Sequence, residues 1–430
     1  MYLIEKHRID TNHEFYKEID ELCWKSKKLY NRANFIIRQV FIHTSELKEK
    51  GMVDHAIYLN YHDIRKMLIK DENYKALPRK ISNQVLIGLD KNWKSFFVSI
   101  KDWKIHPQKY TGIPSLPKYK NTKIGRNGLN YELGSISTTG LKKGVIKLSK
   151  TNISIPYLHT DCKLVCVEIS VQTGCYQIET IYKKEIEEPK KDNKKYMGAD
   201  PGVNNLLTLT SNVKEFTPKI INGRPVKSVN QYYNKKMAEY QSQLPKGVYT
   251  SNKIQKLTMK RNNKIDDYFT KAANLVVDQL EENDINIIIL GKNDFWKQNK
   301  EMGSKNNQNS QSIPFTKLFD KISYKLEIKG RLALTNEESY TSKASFLDLD
   351  PIPTFNKNDN SHHQFGGYRE SRSWYKILGK PTKIHADVNG SYNIIRKVVP
   401  NAFKAEEIEE FAVIPVVNKI RHKDGKLSFI

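Results

Sequence analysis

The stretch Tyr196-Met197-Gly198-Ala199-Asp200-Pro201-Gly202-Val203-Asn204-Asn205-Leu206-Leu207-Thr208-Leu209 decides how the chain is read. Its first five residues form an apolar strand that ends on a carboxylate. Pro201-Gly202 then turns the chain, and Leu206 to Leu209 return it as a second strand. An Asp at the end of a central strand suits metal-dependent phosphodiester chemistry, because Mg²⁺ prefers hard oxygen ligands. An Asp before Pro-Gly is also a common turn former, so Asp200 needs partners elsewhere in the chain.

Downstream, the pattern predicts a Lys-rich helical stretch over 228–243, a helix over 263–282 and a buried strand from Ile285 to Leu290. A helix over 313–329, a strand from Leu332 and a helix after Asp387 complete it. A strand hairpin followed by alternating strands and helices describes an RNase H-like α/β sheet. Asp387 lies in His385-Ala386-Asp387-Val388-Asn389-Gly390, ahead of the apolar stripe Val388, Ile394, Ile395 and Val398. Its plain alternative role is a helix cap. Two-metal cleavage needs carboxylates that converge in space, holding two ions about 4 Å apart to activate water and stabilise the leaving oxygen. Asn306 to Ser312 is a polar tract, read as a loop.

Upstream, Thr11-Asn12-His13-Glu14 has the form of a helix capping box. Phe15, Ile19, Leu22, Leu29, Ala33, Ile36 and Val40 follow at helical spacing, as do Ile81, Val85, Leu89, Trp93, Phe96 and Ile100. A shorter helical piece lies around His62 to Ile69. After a Pro- and Gly-marked loop ending in Pro117-Lys118-Tyr119-Lys120, the period becomes two. Val145 to Leu148 and Ile153 to Ile155 read as short strands, and Leu164 to Ser170 and Tyr176 to Tyr182 flank the turn Gln172-Thr173-Gly174. Residues 122–186 are therefore expected to form a small β-barrel or sheet, followed by a charged linker from Lys184 to Lys195. The whole reads as a multidomain α+β protein.

The 430 residues carry 72 Lys+Arg against 47 Asp+Glu, a formal charge of +25. Aromatics at 10% argue against a disordered polycation, so the surplus points to a folded partner of phosphate backbones. No run approaches the roughly 18 apolar residues of a membrane span, and Met1-Tyr2-Leu3-Ile4-Glu5-Lys6 lacks the apolar core of a signal peptide. The expected location is the prokaryotic cytoplasm, with nucleoid association when on target. Cys23, Cys162, Cys166 and Cys175 form no C-x-x-C pair, so they read as free thiols and no zinc is expected.

Together the motifs resemble the TnpB family, transposon-encoded RNA-guided DNA endonucleases related to type V CRISPR effectors. Gly198 to Leu206 resembles its first RuvC motif and His385 to Ile394 its last; Leu29-Tyr30-Asn31-Arg32-Ala33-Asn34 and Pro117 to Lys120 are similar to further family segments. The resemblance implies a first wedge strand over 1–11, a helical recognition lobe over 12–121 and a β-barrel wedge domain over 122–186. It implies a RuvC nuclease domain over 187–342, an insertion over 343–384 and the last RuvC motif with a tail over 385–430. It further implies a structured noncoding guide RNA, double-stranded target DNA beside a short adjacent motif, and two Mg²⁺ ions, with Mn²⁺ as the alternative ion. Lys70, Arg79, Asn83, Gln84 and Lys120 are the implied candidates for reading DNA that flanks the target. A miniature type V effector using a CRISPR RNA shares the same motifs. A nuclease-inactive RNA-guided repressor is the other alternative, and three placeable carboxylates argue against it.

Two departures stand out. Gly291 falls where the family usually has its catalytic Glu, after Ile287-Ile288-Ile289-Leu290. Some lineages carry that Glu on the next strand, three residues before Thr-Ser-Lys, which here selects Glu338, with Glu337 the fallback. The expected catalytic and metal-binding set is thus Asp200, Glu338 and Asp387. Second, the zinc-ribbon cysteines are missing, with Ser345 and Asp348 near the first pair's places. The insertion is read as metal-free and nucleic-acid-binding through Arg369, Arg372 and Trp374, and His362 and His363 as surface residues. The charge and motif order predict that a low-salt preparation coexpressed with its native locus retains one discrete RNA species. Heterogeneous fragments alone on extraction would contradict a dedicated guide.

Overall fold

The computed structural model describes residues 1–292, 312–354, 362–411, 413–418, 421–423 and 426–428. The chain divides into two compact units, Met1–Glu185 and Ile186–Ile430, each combining helices with sheet. Most of the Asn306 to Ser312 tract lies outside the described residues.

In the first unit, β1 (Tyr2–Ile9) leads into the long helix α1 (Tyr16–Glu49), followed by α2 (Tyr61–Leu68) and α3 (Arg79–Ile105). Strands β2 (Leu129–Glu132), β3 (Lys163–Gln172) and β4 (Cys175–Lys183) join β1 in an antiparallel sheet ordered β1-β4-β3-β2. The β3–β4 turn needs Gly174, whose φ is +79°. Ile19, Cys23, Leu29 and Ala33 of α1 and Ile81, Leu89 and Trp93 of α3 share one core with Tyr131, Val167 and Ile178 of the sheet.

Two expectations need correction here. The described strands of the first unit form an open four-stranded sheet and a separate antiparallel pair, Val145–Lys147 with Ser154–Pro156, and not one closed barrel. The four-stranded sheet shares its core with the helices and with Ile146 and Ile155 of the strand pair, which together do the covering that closure does in a barrel. The capping box at Thr11 is also absent. The chain turns through Thr11–Phe15, Phe15 N donates to His13 Nδ1, and α1 starts at Tyr16 without a side-chain cap. A capping box forms at α2 instead, between Asn60 and Asp63.

The second unit is built on β5 (Tyr196–Pro201), β6 (Asn205–Ser211) and β7 (Lys219–Asn222), an antiparallel meander. The helical hairpin α4 (Arg224–Ser242) and α5 (Asn252–Glu282) follows. Strand β8 (Ile287–Gly291) runs parallel to β5; after α6 (Phe315–Ile328), β9 (Leu332–Asn336) runs parallel to β8. A small sheet of β10 (Gly367–Arg369), β11 (Trp374–Ile377) and β12 (Lys383–His385) precedes α7 (Ala386–Val398). Strand β13 (Val416–Asn418) adds to the edge, giving the main-sheet order β9-β8-β5-β6-β7-β13. Helix α5 begins eleven residues before the expected 263, because its first turns are polar and carry a weaker apolar period.

Strand β5 is buried on both faces, as a central strand between helix layers must be. Met197 and Ala199 face a core containing Phe269, Ala273 and Val276 of α5 and Leu318 and Ile322 of α6. Tyr196 faces the other core, with Tyr392, Ile394 and Ile395 of α7. Because strand side chains alternate, Gly198 and Asp200 share the α7 face with Tyr196. A Cβ on Gly198 would strike the Ser391 carbonyl oxygen and stand 2.8 Å from Ile395 Cγ1. Gly198→Ala is therefore expected to cost about 1–3 kcal/mol in urea unfolding, as overpacking does. Gly112→Ala, with nothing within 4 Å, should stay within about 0.5 kcal/mol; equal effects would show that α7 is not held at this distance.

Candidate active site

Asp200 ends β5 at the edge where α7 begins. A Cβ on Gly390 would lie 3.1 Å from its Oδ2, so the helix backbone closes directly over the carboxylate. Burial raises the Asp200 pKa well above the ordinary carboxylate range, and the charges of Glu338 and then Asp387 push it further the same way. Arg369 pulls against them. The structure thus brings Asp200, Glu338 and Asp387 together. Across the β5–β6 pair, Thr208 lies opposite Asp200, and its hydroxyl oxygen is buried without a hydrogen-bond partner among the described residues.

The two adjacent glutamates are sorted by the fold. Glu337 turns toward α7, where it pairs with Lys397 and accepts a hydrogen bond from Ser339 N at 2.9 Å. Burial would raise its pKa, but Lys397 and Ser339 prevail and hold it below the usual range. Glu338 turns the other way. Its Oε2 stands 2.9 Å from where a Cβ on Gly291 would be, beside Pro201 of β5. Gly291 pairs with Asn336 in the parallel ladder, so the end of β9 projects its carboxylate into the volume a residue-291 side chain would fill. Tyr340, with φ +65°, bends the chain immediately afterwards.

Asp387 is held from two sides. Asn205 Nδ2, at the start of β6, donates to Oδ2 at 2.7 Å, and Arg369 Nη2 donates to Oδ1 at 3.2 Å. Arg369, on β10, also donates to the carbonyls of Arg372 and Ser371. Of the three insertion residues expected to contact nucleic acid, Arg369 therefore stands on a carboxylate of the candidate site, Asp387. Arg372 is exposed, and half-buried Trp374 has its ring centre 6.2 Å from that of His385. His362 is exposed, while the His363 ring packs edge-on against Tyr340.

Two buried asparagines of α7, one turn apart, hold the loop that follows Glu338. Asn389 Nδ2 donates to Ala344 O at 2.8 Å and its Oδ1 accepts from Phe346 N. Asn393 Nδ2 donates to Thr341 O and Ala344 O. Asp387 and the Glu338 loop are thus fastened to one helix. Sequence reading missed both; the available signal was polar residues at i and i+4 beside an otherwise apolar stripe. Where a zinc-ribbon cysteine pair would start, Ser345 Oγ donates to Asp348 Oδ2, while Ser345 N and Gly366 N both donate to Asp350 Oδ2, each at 2.7 Å. Hydrogen bonds clasp this turn.

The donors suit hard divalent cations: Asp200, Glu338 and Asp387 are the residues that could hold them. Among the described residues no three Asp, Glu, His or Cys side chains are drawn tightly enough to form a ready-made cage. Mutual repulsion of like charges works against a closed cage without the cation.

In the first unit, Lys70 and Arg79 are exposed. Asn83 Oδ1 accepts from Tyr74 and Arg65, and Gln84 Nε2 donates to Glu132 at 2.6 Å. Lys120 is tied through its backbone to Asn31, with its ammonium 5.2 Å from the Tyr30 ring centre. Gln84, Lys120, Asn92 and Arg126 line a cavity of about 460 Å³. No described helix is long and apolar enough to cross a membrane.

Residues 165–296 match the model of the OrfB_IS605 family, described as a probable transposase. Asp200 lies inside that segment, and Glu338 and Asp387 lie beyond it. The "TnpB-like protein ORF457" of Acidianus two-tailed virus is 23% identical over 423 residues, covering 89% of this chain and 84% of the relative. Among solved structures, a Cas12f1–sgRNA–target DNA complex covers 88% of this chain and 83% of its own, at 13% identity and a TM-score of 0.49. The mini-RNA-guided endonuclease CRISPR-Cas_phi3 covers 93% and 92%, at 10% identity and a TM-score of 0.45.

The crowded carboxylates lead to a stability prediction. The folded-state pKa of Asp200 is raised, so the folded state holds its proton to higher pH than the unfolded chain. Stability is then greatest below the unfolded value and falls as pH rises through the window between the two. Asp200→Asn should accordingly melt higher than the parent in EDTA at pH 7, with the gain shrinking toward about pH 4. Equal melting temperatures at pH 7 would contradict the mutual repulsion described here.

Proposed function

We propose that the protein is an RNA-guided DNA endonuclease whose second unit is an RNase H-like, RuvC-type nuclease domain. The observation that carries the reading is the convergence of Asp200, Glu338 and Asp387 from three chain segments onto one end of the main sheet. Three antiparallel strands with two parallel strands added beside the first is the strand order expected of that fold. The transposase segment, the TnpB-like viral relative and the +25 charge support a nucleic-acid substrate. The motif resemblance supports a structured noncoding guide RNA and target DNA beside a short adjacent motif.

Asp200, Glu338 and Asp387 would hold two Mg²⁺ ions, or Mn²⁺, which when bound supply an activated water and charge stabilisation for the leaving oxygen. Asp200 would be among their ligands, from the end of the central strand β5. Asn205 orients Asp387 by taking one of its oxygens. Arg369 is poised to pass its guanidinium from Asp387 to a phosphate oxygen, where its planar fork binds bidentately. Glu337 serves the fold through Lys397. A CRISPR RNA in place of a transposon-derived guide would use the same residues.

The test is plasmid cleavage with the RNA from the native locus and Mg²⁺. Asp200→Ala, Asp387→Ala and Glu338→Ala should each lose cutting by at least about a hundredfold while still retaining guide RNA. Glu337→Ala should cut but melt earlier. Loss in Glu337→Ala with normal cutting in Glu338→Ala would reverse the assignment, and a wild type that binds target without cutting would make the protein a repressor.

A further inference from the structure

The hairpin of α4 and α5 carries a charge imbalance that the carboxylate site does not use. From Arg224 to Lys264 ten basic residues stand against Glu239 alone, and Glu239 is taken by Lys236. Between the helices opens a groove of about 380 Å³ lined by Val229, Tyr232, Tyr233, Leu257, Lys260 and Lys264. Its floor is fixed: the Tyr233 and Thr258 hydroxyls are hydrogen-bonded, and Arg261 lies over the Tyr233 ring. Arg261 is itself tied to Asn230 and to Ser312 O. Its rim is open. Tyr232 is 59% exposed, and Lys260 and Lys264 are exposed with no ion pair among the described residues.

The root of this hairpin stands at the catalytic edge. Asn205, which holds Asp387, pairs with Asn222, whose carbonyl accepts from Tyr268 of α5. Lys227 of α4 reaches Asn204 at 3.0 Å. Tyr232 is about 7.5 Å along α4 from Lys227, and Lys264 and Lys260 lie roughly 6 and 12 Å along α5 from Tyr268. The groove therefore opens one to two turns from the loop that positions a catalytic carboxylate.

We propose that this groove grips a single-stranded stretch of DNA next to the cleavage site, one base stacked on Tyr232 and the adjoining phosphates on Lys260 and Lys264. Stacking on an exposed ring needs an unpaired base face, which a duplex hides. Flanking lysines without carboxylates suit the backbone. The choice of DNA rests on the endonuclease reading, because the groove adjoins the site that would cut it.

The experiment measures fluorescence anisotropy of a labelled 12-nucleotide oligothymidine with the full chain in EDTA, so that nothing is cut. Tyr232→Ala should weaken binding about 5- to 150-fold, the range for loss of one stacked base, and Lys260→Ala/Lys264→Ala should lower the salt dependence by nearly two phosphates' worth. Tyr249→Ala, an 83% exposed ring outside the groove, serves as the control and should change neither. Unchanged affinity in Tyr232→Ala, or an equal loss in Tyr249→Ala, overturns the proposal. A larger loss for an oligouridine than for oligothymidine overturns it in favour of RNA. Plasmid cleavage by the wild type is scored separately. Groove-dependent binding without cleavage would sink the endonuclease reading and leave the groove standing.

Discussion

The distance between α7 and β5 governs this molecule. Side chains cannot fit between them at Gly198, so the helix backbone lies against the strand and its first turn reaches the end of β5. That contact sets Asp387 beside Asp200. Around it the packing is aromatic and tight: Phe346 stacks on Tyr392 with ring centres 4.2 Å apart, and Phe403 and Phe411 close the cluster. Burial of Asp200 where the helix closes over it is also what first raises its pKa, with the charges of Glu338 and Asp387 adding to it. One packing constraint therefore produces both the geometry and the electrostatics of the carboxylate cluster.

The third carboxylate shows how an α/β sheet can change the strand that supplies a side chain while keeping the place it reaches. Parallel neighbours β8 and β9 end at the same level, Gly291 opposite Asn336. A side chain at 291 and one shortly beyond 336 point into the same volume. With Glu338 there, a Cβ at Gly291 would crowd Glu338 Oε2 and Ile394 Cδ1, and those side-chain ends would have to shift. The two positions are coupled by exclusion: the site has room for a carboxylate from one strand or the other.

The insertion between Glu338 and Asp387 is integrated through hydrogen bonds. Asp350 gathers the amides of Ser345 and Gly366, Arg396 donates to the Asp350 carbonyl, and Asn389 and Asn393 tie the same loop to α7. Such a network is robust only when its members are satisfied together. It also explains why Arg369 arrives at Asp387: β10 is held to β11, β11 to β12, and β12 runs directly into α7.

Much of this was legible before any coordinates. Alternation and helical period marked β3, β4, β5, α1, α3 and α7, because a strand or helix must present its apolar residues at the spacing of its own backbone. The motifs around Asp200 and Asp387 stood out for the same reason, each being a carboxylate at the end of a strongly patterned element. Local pattern misled at Thr11, where a capping sequence exists but the chain makes a turn, and over 122–186, where alternation marked strands without saying whether they close. What pattern could not supply was direction. Glu337 and Glu338 are neighbours with the same chemistry, and only the position of Lys397 on α7 turns one away from the site. Arg369 was legible as a basic residue in a basic stretch, yet its partner is a carboxylate 18 residues on. Asn389 and Asn393 looked like interruptions of an apolar stripe until the loop they bind was placed beside them. Periodicity is a property of one element at a time, whereas an active site is made where several elements end together.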